Sequence, residues 1–171
     1  GNPIALNYAI GDLVEGGIVF YIDETGEHGL VAALEDLGQF EWGCYGTDIN
    51  GNNSSVSPEL GGIGTGLQNT LEIVSGCSET PIAASEALAY ESEGYSDWYL
   101  PSRYELVEMY NTIGNGGPEG NIGGFETSDW PYYWSSSESN SSSAWYVSFY
   151  DGYSNGGTKD YSLRVRAVRA F

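Results

Sequence analysis

The stretch from Ala144 to Tyr150 reads Ala-Trp-Tyr-Val-Ser-Phe-Tyr, and this alternation constrains the fold more than any other part of the chain. In an extended strand successive side chains point to opposite faces. Trp145, Val147 and Phe149 therefore share one face, and Tyr146, Ser148 and Tyr150 share the other. The first set suits a core and reads as fixed and inward; the second suits a surface. Asp151-Gly152 follows as a turn. A strand of this kind needs partner strands and a layer that covers its apolar face.

Other segments supply those parts. Gly16 to Phe20 and Gly29 to Leu34 are short apolar runs separated by the polar turn Asp23-Glu24-Thr25-Gly26-Glu27, the pattern of a β-hairpin. Trp42-Gly43 opens a Gly, Asn and Ser-rich stretch to about Gly66 that reads as loops. A helix is expected around Gln68 to Val74. Another should start at Thr80-Pro81, with Thr80 as N-cap, and run through Ile82 to Tyr90. Ser102 and Glu105 form a capping box. The helix they open carries Leu106, Met109, Tyr110 and Ile113 on one face and stops by Gly114. After a glycine-rich loop from Asn115 to Gly124, Tyr133 to Ser136 reads as a strand. A final strand has Leu163, Val165 and Ala167 alternating with Arg164, Arg166 and Val168. With 25 Gly, 14 Tyr and 5 Trp in 171 residues, the chain reads as one α+β domain over 1–171.

The formal charge of −19 excludes one class of partner. An acidic surface repels phosphate backbones, so nucleic acid is not expected as a ligand. Solubility is the simplest role for so much acid. Pairs such as Asp23 and Glu24 could meet Ca²⁺, but no loop has the dense carboxylate spacing of a dedicated calcium site. No metal or other cofactor is expected. No run of about eighteen apolar residues is present, so no membrane insertion is expected. The opening Gly1-Asn2-Pro3 reads as a cut inside a longer protein.

Cys44 and Cys77 lack metal-type spacing, and either a disulfide or two buried thiols fits them. Neither sits beside a base, and the only histidine is His28. No spacing singles out a pair of carboxylates for acid–base work, so an enzyme is not expected. Arg164, Arg166 and Arg169 could form an anion-binding strip; in so acidic a chain they are better read as partners of carboxylates or aromatics.

Four motifs occur in order: Asp97-Trp98-Tyr99-Leu100-Pro101-Ser102-x-x-Glu105-Leu106, Tyr133-Trp134-Ser135-Ser136-Ser137, Ala144-Trp145-x-Val147-x-Phe149-x-x-Gly152, and Arg164-Val165-Arg166-Ala167-Val168-Arg169. Together they resemble a widespread microbial domain family with the C-type lectin-like fold, which formylglycine-generating enzymes share. The resemblance runs from Gly16 to Phe171. It implies a small, twisted antiparallel sheet with two helices and long loops. Within that family the chain is most similar to the variable proteins of diversity-generating retroelements, including those of archaeal viruses. In that class a reverse transcriptase mutates adenines, so diversified asparagine codons never become Lys, Glu, Gln, Trp or Met.

Between Ser139 and Leu163 there is no Glu or Gln, and Lys159 is the only Lys. The resemblance thus implies a variable, ligand-binding region at about 132–163, on a protein displayed on a virion or a cell surface. Its expected contact residues are Tyr146, Ser148, Tyr150, Asp151, Tyr153, Ser154, Asn155, Asp160, Tyr161 and Ser162. Tyr, Ser and Asn give adaptable contact area at low entropic cost, as in antibody loops. The expected partner is a protein or glycan on a cell surface. The rival reading is a fixed lectin-like adhesion module. The Glu-Pro-Asn, Gln-Pro-Asp and Trp-Asn-Asp motifs of calcium-dependent sugar binding are missing.

Overall fold

The computed structural model describes residues 7–49 and 62–171. Much of the expected loop stretch 42–66 lies outside the described residues. Within them the chain forms β1 (Leu13–Val14), β2 (Gly17–Ile22), β3 (Gly29–Ala32), β4 (Gly38–Phe40), α1 (Gly66–Gly76), α2 (Ala83–Ala89) and α3 (Arg103–Ile113). There follow β5 (Tyr132–Glu138), β6 (Ser143–Ser148), β7 (Ser154–Thr158), β8 (Leu163–Val165) and β9 (Val168–Ala170). The architecture is mixed α+β.

The strands make two sheets, ordered β1-β2-β3-β9 and β4-β8-β5-β6-β7, where a single small sheet was expected. All pairings are antiparallel except β5 with β8. The reason lies in the last segment, which sequence alternation presents as one strand. Arg166 and Ala167 break it into β8 and β9, which join different sheets. Arg166 is buried at this crossing. Its Nε donates to Asp36 Oδ1 at 2.8 Å, and Nη1 donates to the carbonyls of Ala33 and Gly123 at 3.0 and 2.8 Å. A planar guanidinium can satisfy several such acceptors at once. The corner is therefore held by polar contacts that a regular ladder would not offer.

Strand alternation feeds two cores. On β2, Val19 enters one cluster while Ile18 and Phe20 enter the other. On β5, Trp134 and Tyr133 divide in the same way. The first cluster gathers Trp42, Trp98 and Trp134 with Ile73, Ile82 and Leu100 from around α1 and α2. The second lies under α3 and holds Phe20, Leu106, Met109, Ile113, Phe125, Val147 and Phe149.

Among the described residues there are three helices, the number the segment patterns predict, where the resemblance implied two. The capping box of α3 is formed: Ser102 N donates to Glu105 Oε1 at 2.7 Å, and Glu105 N donates to Ser102 Oγ at 3.3 Å. Glu105 Oε2 also accepts from Gly64 N at 2.8 Å, tying the approach to α1 onto α3. A Cβ on Gly66 would meet Glu105 Oε1 at 2.2 Å, so the buried carboxylate requires glycine there. Burial pushes this carboxyl above the usual range, and backbone donors from Ser102, Gly64 and Gly66 oppose the shift.

α2 begins later than expected. Thr80 is not its N-cap; the Thr80–Pro81 bond is cis, and the cap position is Ile82, whose N–H donates to Ser85 Oγ at 3.0 Å. Cys44 and Cys77 form a disulfide, which resolves the open choice between bridge and free thiols. Closing a loop of 33 residues' separation stabilises by about 3–4 kcal/mol through the unfolded chain.

Candidate functional site

The candidate site is built on the outer end of the β5–β6–β7 ribbon. Register places Tyr132 opposite Ser148, and Tyr146 opposite both Trp134 and Asn155. These side chains share a face, because cross-strand partners point the same way. Toward the strand interior Trp134 and Ala144 are buried on this face. Toward the strand end Tyr132 and Tyr146 remain half-buried, packed on the first cluster by part of their surface.

The turn between β6 and β7 adds the next wall. Gly152 N donates to Ser148 O at 2.7 Å, and Ser148 N donates to Tyr153 O at 2.8 Å. Asp151 Oδ1 accepts from Tyr153 N at 3.0 Å, and Ser148 Oγ accepts from Tyr150 N at 3.3 Å. Gly152 has φ +80°, and a Cβ there would lie 2.4 Å from the Tyr110 ring. Only glycine suits both demands. The turn therefore presents Tyr150 and Tyr153 outward, 67% and 59% exposed.

The opposite wall is the loop before β5. Glu126 Oε1 accepts from Ser128 N at 3.1 Å and from Asp129 N at 2.9 Å, and these donors hold its carboxyl below the usual range. Arg164 donates from Nε to Trp130 O at 3.0 Å and from Nη2 to Asp129 O at 2.9 Å. Trp130 Nε1 donates to Ser162 O at 3.0 Å. Its indole meets Tyr132 edge-on at 5.1 Å, and Tyr132 meets Tyr146 edge-on at 5.3 Å.

Between the walls lies an open cleft of about 550 Å³, lined by Thr127, Ser128, Pro131, Tyr132, Tyr146, Ser148, Tyr150, Asp151 and Tyr153. That volume is in the range of small-ligand and side-chain pockets. Burial raises the Tyr146 phenol, and the neighbouring Tyr132, Tyr153, Asp151 and Tyr161 raise it further. It stays protonated near neutral pH and can donate a hydrogen bond. The lining offers ring faces, hydroxyls and one carboxylate, with no histidine, cysteine or lysine among its described residues.

The residues expected from sequence divide accordingly. Tyr146, Ser148, Tyr150, Asp151 and Tyr153 line the cleft. Ser148 is buried, so it forms part of the floor and is not an outward contact as alternation implied. Asn155 shares the face of Tyr146 and is exposed. Asp160, Tyr161 and Ser162 are exposed outside the cleft's lining, and the Ser162 carbonyl accepts the Trp130 indole N–H. Ser154 does not join them. It pairs with Val147 on the other face, where its Oγ accepts from Arg103 Nε at 3.0 Å.

Trp145 also departs from expectation. It is half-buried on β6, between β5 and β7, with the Arg103 guanidinium 3.7 Å from its ring centroid. It shares the face of Val147 but lies beyond the reach of the helix-covered core. Sequence reasoning missed Thr127, Ser128, Trp130 and Pro131, and it held Tyr132 only as the start of the variable region, not as a contact. The available signal was a tryptophan in a polar loop just before a proline, with φ +54° at Trp130 in the structure.

Possible metal ligands group once among the described residues, at Cys44, Cys77 and Glu79. Both sulfurs are bonded to each other and offer no thiolate. Asp23, weighed for calcium, accepts from Thr25 N at 3.0 Å and Thr25 Oγ1 at 2.6 Å, so its carboxylate closes the hairpin turn. Among the described residues no helix is long and apolar enough to cross a membrane.

The Lcl C-terminal domain family matches residues 49–169, a span that includes both walls of the cleft. The chain belongs to the Lcl C-terminal domain family. No curated protein matches it. Among solved structures, a fimbrial protein from Bacteroides ovatus is similar at TM-score 0.51 and 19% identity. The match covers 83% of this chain and 35% of that one, so this Lcl C-terminal domain spans about a third of the fimbrial protein's length. At that identity the likeness concerns the fold alone.

Proposed function

We infer that this Lcl C-terminal domain is a non-catalytic recognition module on a C-type lectin-like scaffold. Its cleft binds a partner outside the cell, and residues from about 132 to 163 are the diversified part of a retroelement variable protein. One observation carries the reading: Tyr146, Ser148, Tyr150, Asp151 and Tyr153, named from alternation and composition, line a single cleft. A fimbrial protein shares the fold, and the Cys44–Cys77 disulfide suits an oxidising, extracellular compartment. A cell-surface, fimbrial or virion setting fits both.

The test is a protein and glycan array probed with the intact chain, followed by Tyr146→Ala and Tyr150→Ala. Each variant should weaken a captured ligand about tenfold or more while the thermal midpoint of Tyr150→Ala stays at the wild-type value. Unchanged affinity in both variants places binding elsewhere.

A second reading, a fixed adhesion module, is favoured by the tied roles of Ser148 and Ser154, whose hydroxyls serve the turn and Arg103. Sequencing the flanking DNA separates the two. A diversified protein has a reverse-transcriptase gene and a near-copy of the 3′ end differing mainly at adenines nearby; a fixed module has neither.

A further inference from the structure

We propose that the cleft takes a cationic side chain, a guanidinium or ammonium group presented by a basic protein partner. The proposal rests on the cleft being the binding surface and adds the chemistry of what enters it.

Charge accounting leads to this occupant. The chain has five basic residues against 24 acidic ones, and all five basic groups are engaged away from the cleft's lining. Arg103 stacks on Trp145 and donates to Ser154, on the far face of the ribbon. Lys159 is buried against Glu138 Oε2 at 2.6 Å. Arg164 lies behind the loop wall with its donors on the carbonyls of Trp130 and Asp129. Arg166 is buried at the sheet corner on Asp36, and Arg169 pairs with Asp97. An anionic ligand entering the cleft would find Asp151 and no cation to meet it. A sulfate, phosphate or uronate is thereby disfavoured.

The lining has what a cation needs. Tyr132, Tyr146, Tyr150 and Tyr153 line the cleft, and Asp151 is the one acidic residue among its lining residues. In the edge-on contact of Tyr132 with Tyr146, the ring that offers its edge keeps its own faces, the negative part of an aromatic quadrupole, free of that partner. Phenol rings beside one carboxylate form the kind of cage that holds ammonium and guanidinium groups. A neutral sugar could also stack on these rings, but it would gain nothing from Asp151 or from the surrounding negative field.

The experiment compares two probes of the same shape. The ¹⁵N-labelled chain is titrated with N-acetyl-arginine amide and with N-acetyl-citrulline amide, its uncharged isostere. The arginine probe should move the amides of Tyr146, Tyr150, Asp151 and Tyr153, and the citrulline probe should bind roughly tenfold more weakly. Asp151→Asn should weaken the arginine probe about fivefold. Glu27→Gln, on the distant β2–β3 turn, should leave its affinity unchanged, which separates the cleft from bulk attraction to an acidic chain. Equal binding of both probes at the cleft overturns the cation reading while leaving the cleft as a binding site. Shifts scattered over the acidic surface, or an equal loss in Glu27→Gln and Asp151→Asn, overturn it as non-specific attraction. No shift at the cleft with either probe overturns it as well, and in that case the array experiment alone bears on the wider reading.

Discussion

Tyr132 and Tyr133 are neighbours on β5, yet one borders an open cleft and the other is a closed structural joint. Tyr133 is fully buried under α3. Its hydroxyl donates to Asp36 Oδ2 at 2.7 Å and accepts from Glu126 N at 2.9 Å. Burial and the nearby Asp36 push its phenol far above the ordinary tyrosine value. Tyr132, on the opposite face, touches Trp130 and Tyr146 edge-on and remains half-buried. The same side chain is scaffold where a helix roofs its end of the strand and recognition surface where its own face runs out past the first core cluster. Alternation assigns the face; the neighbouring element assigns the role.

The strongest way to break this comparison is to delete indoles. Trp134→Ala removes a fully buried ring and should cost about 3–5 kcal/mol in chemical denaturation. Trp145→Ala, half-buried under Arg103 and outside both core clusters, should cost about 1–2 kcal/mol. Equal losses would mean that the site under Arg103 is as much core as the centre.

A smaller effect sharpens the tyrosine contrast. Tyr133→Phe strands Asp36 Oδ2 and Glu126 N–H and should cost about 1–3 kcal/mol. Tyr132→Phe should stay within about 0.5 kcal/mol of wild type.

Acid should separate scaffold from cleft. The Arg169 guanidinium, bonded to Asp97 at 2.7 Å, holds that carboxyl below its usual range. A depressed carboxylate stabilises the fold above the ordinary aspartate value, and the contribution is lost as pH falls through the depressed one. Thermal midpoints of wild type and Asp97→Asn should therefore converge on acidification. Because Asp97 is largely solvent-exposed, the neutral-pH gap should be under about 1 kcal/mol. The Tyr146 phenol, raised in pKa, stays protonated throughout that range.

The smallest effect belongs to the cleft rim. Tyr150→Ala and Tyr153→Ala should change stability by less than about 0.5 kcal/mol, read by thermal melting. A larger loss would show these rings to be part of the scaffold.

Local chemistry made several features legible. The capping box joins Ser102 and Glu105, three positions apart, so it is visible in sequence. The β2–β3 hairpin and the turn at Asp151-Gly152 are likewise set by neighbours along the chain. Alternation put Tyr146 and Val147 on opposite faces, and the register has them so. The single Lys between Ser139 and Leu163 drew notice by composition. Its reason is tertiary: Lys159 Nζ donates to Glu138 Oε2 and to Thr47 O at 2.8 Å, fastening a distant loop.

By itself, then, the sequence determined the faces of β6, the turn, the start of α3 and the acidic field, because each depends on residue type and near neighbours. Tertiary structure decided which end of each face was roofed, that Ser154 and Trp145 serve Arg103, that the last segment splits between two sheets, and that the Trp130 loop completes the cleft. Those outcomes depend on contacts between segments tens of residues apart, and no local period records them.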